Sequence, residues 1–210
     1  MFNLFEMDGP FYRAMAKVAD LMIVNFLFII TALPIFTLGA ALSALYGVLL
    51  NYDAKREDNI FVRYIRAFKQ NWKQSTVMNL LVVLISSVLI TNIVLYPSYQ
   101  GGFKLLVISS LIIASIILFL FSILIYPYFA KFHDSIKNAS KNVLKMIADN
   151  IFRTLGIACI SLTPIGIMLL SAELLLLGLY LFLFIGFALV GYINSRLLNQ
   201  IFNKYLNHSH

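Results

Sequence analysis

Charge is what this chain has least of. Only 12% of its 210 residues are Asp, Glu, Lys or Arg, while 61% are hydrophobic; an ordinary soluble domain carries roughly 25% charged residues. A chain of this size leaves most of its residues facing solvent, so these proportions exclude a water-soluble globule and also a disordered chain. A single cysteine, Cys159, excludes an intramolecular disulfide framework and a Cys-rich zinc site. The histidines His133, His208 and His210 are too scattered to read as a metal site. The sequence holds no phosphate-binding glycine loop, no H-E-x-x-H helix and no G-x-S-x-G elbow. No catalytic, metal-binding or cofactor-binding residue is expected, and an enzyme is the least favoured class.

What the chain has instead is long apolar runs. A hydrocarbon core about 30 Å thick takes roughly 20 helical residues to cross, and backbone in lipid must pair within its own segment. The runs at residues 21–50, 76–97, 105–130, 154–171 and 174–195 meet that length, with turns expected at Pro97 to Gly102 and at Ser171 to Glu173. The expected fold is a single all-α domain, residues 1–210: a polytopic bundle of about five transmembrane helices. The run 21–50 is too long for one straight crossing and contains Pro34 and Gly39, so a kink or break is expected there. A single kinked crossing is the favoured reading. Two half-helices that dip in and return are the alternative. The run also exceeds the apolar part of a cleaved leader, which favours a retained anchor.

The net charge of +7 is unevenly placed. Segments 51–75 and 131–153 and the C-terminal tail hold 13 Lys and Arg; Arg13, Lys17 and Lys104 fall on the other side of a five-crossing map. That asymmetry places the basic connectors and the C-terminus in the cytoplasm. Within 51–75, Phe61, Ile65, Phe68 and Trp72 recur at helical spacing beside Arg63, Arg66, Lys69 and Lys73. Within 131–153, Ile136, Val143, Ile147 and Ile151 form an apolar stripe beside Lys137, Lys141 and Lys145. Both read as basic amphipathic helices lying on anionic inner-leaflet lipid; docking to a cytoplasmic partner is the sharper reading. Nucleic acid is not expected, because no reading module accompanies the charge. The joins Asn71–Ser75 and Asn150–Thr154 hint at an internal repeat.

Few polar groups lie inside the runs. The hydroxyls suit bonds to their own helices, whereas Asn25, Asn79 and Asn92 are costlier in lipid and are expected to face the interior, as packing contacts or beside a solute path. Glu173 falls at a turn, and Cys159 reads as a buried packing residue.

The stretches Asp8-Gly-Pro-Phe-Tyr12, Lys17-Val-Ala-Asp20, Leu33-Pro-Ile-Phe-Thr-Leu-Gly39, Ala44-Leu-Tyr46 and Ala67-Phe-Lys-Gln-Asn71 resemble the YesL family of bacterial multi-pass membrane proteins, a domain of unknown function. The resemblance implies a bacterial plasma-membrane location. It also implies an accessory, non-enzymatic role beside carbohydrate uptake systems of the ATP-binding cassette type, with which family members are often encoded, and it carries no catalytic residues over. A small transporter or channel is the alternative and an intramembrane enzyme the second alternative. Small residues on several faces are compatible with a homo-oligomer.

Overall fold

The computed structural model describes residues 10–53, 58–96 and 102–206. Helix α1 (Pro10–Ala32) ends at Leu33-Pro34, and a 3-10 turn (Ile35–Thr37) leads into α2 (Leu38–Leu49). Then follow α3 (Ile60–Leu95), α4 (Lys104–Lys131), α5 (Ile136–Asp149) and α6 (Ile151–Met168). Helix α7 (Ala172–Leu181) continues through a π-helical turn (Phe182–Gly186) into α8 (Phe187–Leu206). No strand occurs among the described residues, and five helices are long and apolar enough to cross a membrane: 11–32, 60–95, 104–131, 151–168 and 172–206. The all-α polytopic bundle is therefore the architecture of the chain. The expected turn at Pro97 to Gly101 lies outside the described residues.

Segment 21–50 is not a single crossing. The Tyr52 hydroxyl donates to the Asp20 carboxylate at 2.8 Å, so the far end of α2 returns to the middle of α1 and the two form an antiparallel hairpin. Pro34 is extended (φ −75, ψ 119), and its missing N–H ends α1 there. Helix α2 is the most enclosed element, and the residues it presents are small. Gly39, Ser43 and Gly47 repeat at four-residue spacing along one face, and that face lies against α3 and α4. A Cβ on Gly39 would stand 2.5 Å from the Ser75 carbonyl oxygen and 2.7 Å from the Tyr126 ring; one on Gly47 would stand 2.9 Å from Ala67 Cβ. Small residues at that spacing let helices approach closely, as in membrane bundles generally.

The amphipathic stretch within 51–75 and the expected span at 76–97 run on without a break. Ile60–Leu95 is one helix of 36 residues, about 54 Å long at 1.5 Å per residue. Asn59 caps it by accepting from the Phe61 amide at 3.1 Å. By contrast Asn150, at φ −133, separates α5 from α6, so the two joins that suggested a repeat are built differently.

Two apolar clusters hold the bundle. One gathers Val24, Ala41, Val48, Tyr64 and Ala188 around the hairpin. The other gathers Leu124, Phe129, Val143, Ile157, Leu198 and Phe202, from α4, α5, α6 and α8. Of the expected stripe, Val143 is fully enclosed, beside Ala139 and Met146; Ile136 and Ile147 are half-buried against the same cluster, and Ile151, the first residue of α6, is exposed. From Ile136 to Ile147 the apolar cover is protein, supplied by the end of α4 and the end of α8.

Candidate functional site

Two places carry the polar chemistry: the hairpin with its clamps, and the basic end of the bundle. At the hairpin tip the loose backbone is caught by side chains. Thr37 Oγ1 donates to the carbonyls of Thr31 (2.7 Å) and Pro34 (2.8 Å). Asn79 Nδ2 donates to the Ile35 carbonyl at 2.9 Å, while Asn79 Oδ1 accepts from the Tyr126 hydroxyl at 3.1 Å. Below the tip, Ser43 Oγ meets Ser75 Oγ at 2.8 Å and donates to the Tyr126 carbonyl at 3.1 Å. Gly39 and Asn79, two expected site residues, are therefore brought together, with Pro34 five residues before Gly39 in the chain.

Asn25 serves another break. Its Nδ2 donates to the carbonyls of Phe182 and Leu183, each at 3.0 Å, and its Oδ1 accepts from the Ala188 amide at 3.0 Å. A π-helical turn leaves backbone groups out of the regular ladder, and one buried carboxamide from α1 satisfies three of them. Asn92 behaves differently: it is only half-buried, and its Nδ2 donates to Val88 of its own helix at 2.8 Å. The expectation that Asn92 is enclosed with the other two is corrected. Most hydroxyls within the spans likewise bond to their own helix, including Ser87, Thr91, Ser115, Ser122 and Thr163.

At the basic end, Lys17 bonds the Tyr192 hydroxyl and sits 4.0 Å from that ring's centroid and 5.3 Å from that of Tyr52. Arg196 donates to the same hydroxyl at 2.7 Å. Burial pushes the Tyr52 phenol above its ordinary pKa, and its bond to Asp20 and that carboxylate's charge add to the effect. This cluster ties α1, the segment after α2 and α8 together, and the sequence reading did not single it out. Its signal was weak, since a lysine, two tyrosines and an arginine far apart in sequence share no spacing rule.

The expected basic residues divide among different tasks. Arg63 does not face outward. It donates to the carbonyls of Val48 (3.3 Å) and Asn51 (2.9 Å) and so caps the C-terminal end of α2. Arg66 pairs with Asp58 at 2.8 Å on the surface. Lys69 and Lys73 are exposed on α3, as are Lys137, Lys141 and Lys145 on α5. The face of α3 turned inward is a third one, carrying Ile60, Tyr64, Asn71, Ser75 and Met78. Phe61 and Trp72 are consequently exposed, with Ile65 and Phe68 half-buried. Because the hairpin returns, Arg13 and Lys17 join the basic end. Thirteen described Lys and Arg stand there, and Lys104 alone marks the opposite end of α3 and α4. Lys55, Arg56, His208 and His210 lie outside the described residues.

Between α4, α5 and α8 a cavity of about 320 Å³ is lined by Tyr128, Asp134, Asn142, Lys145 and Tyr205 among others. The Asp134 carboxylate accepts there from the Tyr128 hydroxyl and, at 3.3 Å, from Asn142. Cys159 is exposed rather than buried, because α6 turns that side away from its neighbours. Glu173 lies in the first turn of α7, where a carboxylate suits the helix dipole. Among the described residues no three His, Cys, Asp or Glu side chains gather as a metal site.

These features define an all-helical, multi-pass membrane protein with a helical hairpin that turns back on itself. A family model described as a protein of unknown function, DUF624, matches residues 21–93, which run from within α1 through the hairpin almost to the end of α3. No curated protein and no solved structure matches the chain.

Proposed function

We propose that this is a bacterial plasma-membrane protein with its basic end in the cytoplasm, acting as a non-enzymatic accessory factor in carbohydrate uptake of the ATP-binding cassette type. The observation that carries the accessory role is the state of α5. Its apolar side is consumed by the core, while Lys137, Lys141 and Lys145 stand exposed on the other side without hydrogen bonds or ion pairs among the described residues. A helix whose apolar face is already covered does not need lipid to fold, and its free cations suit an acidic surface on a partner. Asn25 and Asn79 favour packing over a solute path, since the chain's own backbone occupies their amide groups. The carbohydrate assignment rests on the resemblance to the YesL family, and the orientation rests on the charge distribution.

The direct test is copurification with a sugar permease from membranes, comparing wild type with the Lys137→Gln, Lys141→Gln, Lys145→Gln variant. Recovery of permease by wild type and its loss in the variant is the expected result; a wild-type preparation free of any transporter component overturns the reading. Orientation is tested separately in a Cys159→Ser background. Ala14→Cys and Asp53→Cys are expected to react with an impermeant maleimide in inside-out vesicles and not in intact cells. A small transporter is the second reading, favoured by the irregular backbone at 33–37. Solute flux into liposomes holding only this protein would establish it.

A further inference from the structure

Two cavities on the flank of the molecule meet at Phe61. One, of about 470 Å³, is lined by Met22, Ile23, Phe26, Leu27, Ile30, Leu183, Phe184 and Phe61, without a single ionisable side chain. The other, of about 420 Å³, is lined by Phe61, Val62, Ile65, Arg66, Lys69 and Gln70. The first is an apolar trough and the second an apolar floor with a cationic, amide-bearing rim. The first lies between helices long and apolar enough to cross a membrane; the second lies on the charged first part of α3, ahead of its apolar stretch. The pair therefore runs from an apolar flank to a basic one, as the chains and headgroup of a lipid do.

We infer that this paired cavity holds one phospholipid whose headgroup carries a single net negative charge, such as phosphatidylglycerol. The charge balance at the rim selects that class. Arg66 is paired with Asp58 through Nη1 at 2.8 Å, which leaves its charge largely compensated. Lys69 is exposed and has no hydrogen bond or ion pair among the described residues. The rim therefore offers one net positive charge together with the Gln70 amide and the remaining guanidinium N–H groups, all donors suited to a phosphodiester. A zwitterionic lipid would bring its own ammonium against Lys69 and gain less. A small free anion would satisfy the rim but leave the trough along α1 unfilled, and that trough matches acyl chain rather than water.

The site is separate from the α5 surface, so its test does not depend on the carbohydrate reading. Detergent-purified full-length protein is loaded with phosphatidylglycerol or phosphatidylcholine of identical chains, and bound lipid is counted by native mass spectrometry. Wild type is expected to retain phosphatidylglycerol about tenfold better, and Lys69→Gln to bring the ratio close to one. Lys69 is exposed and unbonded, so this variant is expected to fold. A charge-matched control at another exposed lysine, Lys204→Gln, is expected to keep the preference. Phe61→Ala, which opens the junction of the two cavities, is expected to weaken retention of both lipids. Equal retention of the two lipids by wild type overturns the proposal. So does a control variant that loses the preference as fully as Lys69→Gln, which would mean diffuse attraction to a basic surface. Displacement of the lipid by inorganic phosphate at equal phosphorus concentration would also overturn it, by assigning the rim to a free anion.

Discussion

Replacing Gly39 by alanine tests whether the hairpin is clamped as described. The added Cβ would meet the Ser75 carbonyl oxygen at 2.5 Å, Tyr126 Cε1 at 2.7 Å and Asn79 Cβ at 2.8 Å. None of the three yields easily. The first is backbone in the middle of α3, the tyrosine is held through its hydroxyl by Asn79, and Asn79 is held by the Ile35 carbonyl. Relief requires α2 to move away from α3 and α4, which strains the bonds of Ser43 and Asn79 together. Overpacking of this kind costs about 1–3 kcal/mol. At about 2–4 °C per kcal/mol for a chain of this length, the thermal midpoint in a fixed detergent should fall by about 2–12 °C. Distance alone does not rank the glycines. A Cβ on Gly178 would stand closer still, 2.3 Å from Met168 Cγ, but that neighbour is a flexible thioether side chain that can swing aside, so Gly178→Ala should cost less than Gly39→Ala. Gly166 has no neighbour within 4 Å, and Gly166→Ala should hold or raise the midpoint, since alanine gains about 1 kcal/mol over glycine inside a helix. A Gly39→Ala protein as stable as wild type, or less perturbed than Gly178→Ala, refutes the clamp.

Asn25→Leu strips the partners from the Phe182 and Leu183 carbonyls and the Ala188 amide, and buried groups left unpaired cost about 1–3 kcal/mol each. Hydrogen exchange should accelerate first at Ala188, and unchanged exchange there would show that the π-helical turn supports itself. Tyr52→Phe removes the bond to Asp20. The fold raises the phenol's pKa and so favours its neutral form; that contribution is whole below the ordinary value of about 10 and is lost as pH climbs above it. The stability gap between wild type and Tyr52→Phe should stay constant from neutral pH to about pH 9 and then shrink on further titration. A gap that widens with alkalinity contradicts the assignment.

The span ends were legible because charge brackets them. Lys104 and Lys131 bound α4 in the structure as they bound the apolar run in the sequence, and Ser171 caps α7 where a turn was expected. The return of the first segment was not legible from length, since 30 uncharged, mostly apolar residues suit a kinked crossing and a hairpin alike. The information that decides between them is long-range: Asn79 reaches Ile35, and Tyr52 reaches Asp20. One local sign did exist. The spacing of Gly39, Ser43 and Gly47 marks a helix face meant for close approach to other helices, which favours an internal half-helix over one surrounded by lipid.

The two amphipathic helices show why periodicity is only half an answer. A hydrophobic stripe states that one face seeks apolar cover, and several kinds of cover satisfy it equally. For α5 the cover is the protein core, where Val143 and Met146 are packed. For α3 the inward face carries Tyr64, Asn71 and Ser75, polar residues that hydropathy would have turned outward. Each finds a partner inside: Tyr64 at Thr31, Asn71 at Ala67 and Ser75 at Ser43. The stripe of Phe61, Ile65, Phe68 and Trp72 is then left on the flank beside Lys69 and Lys73. The two basic surfaces that look alike in sequence are thus separated in space and in chemistry. On α5 the lysines lie opposite a face sealed by protein; on α3 they lie beside aromatic side chains that are themselves unsealed. A bilayer can supply both the apolar and the anionic partner that the α3 surface lacks, whereas α5 lacks only the anionic one.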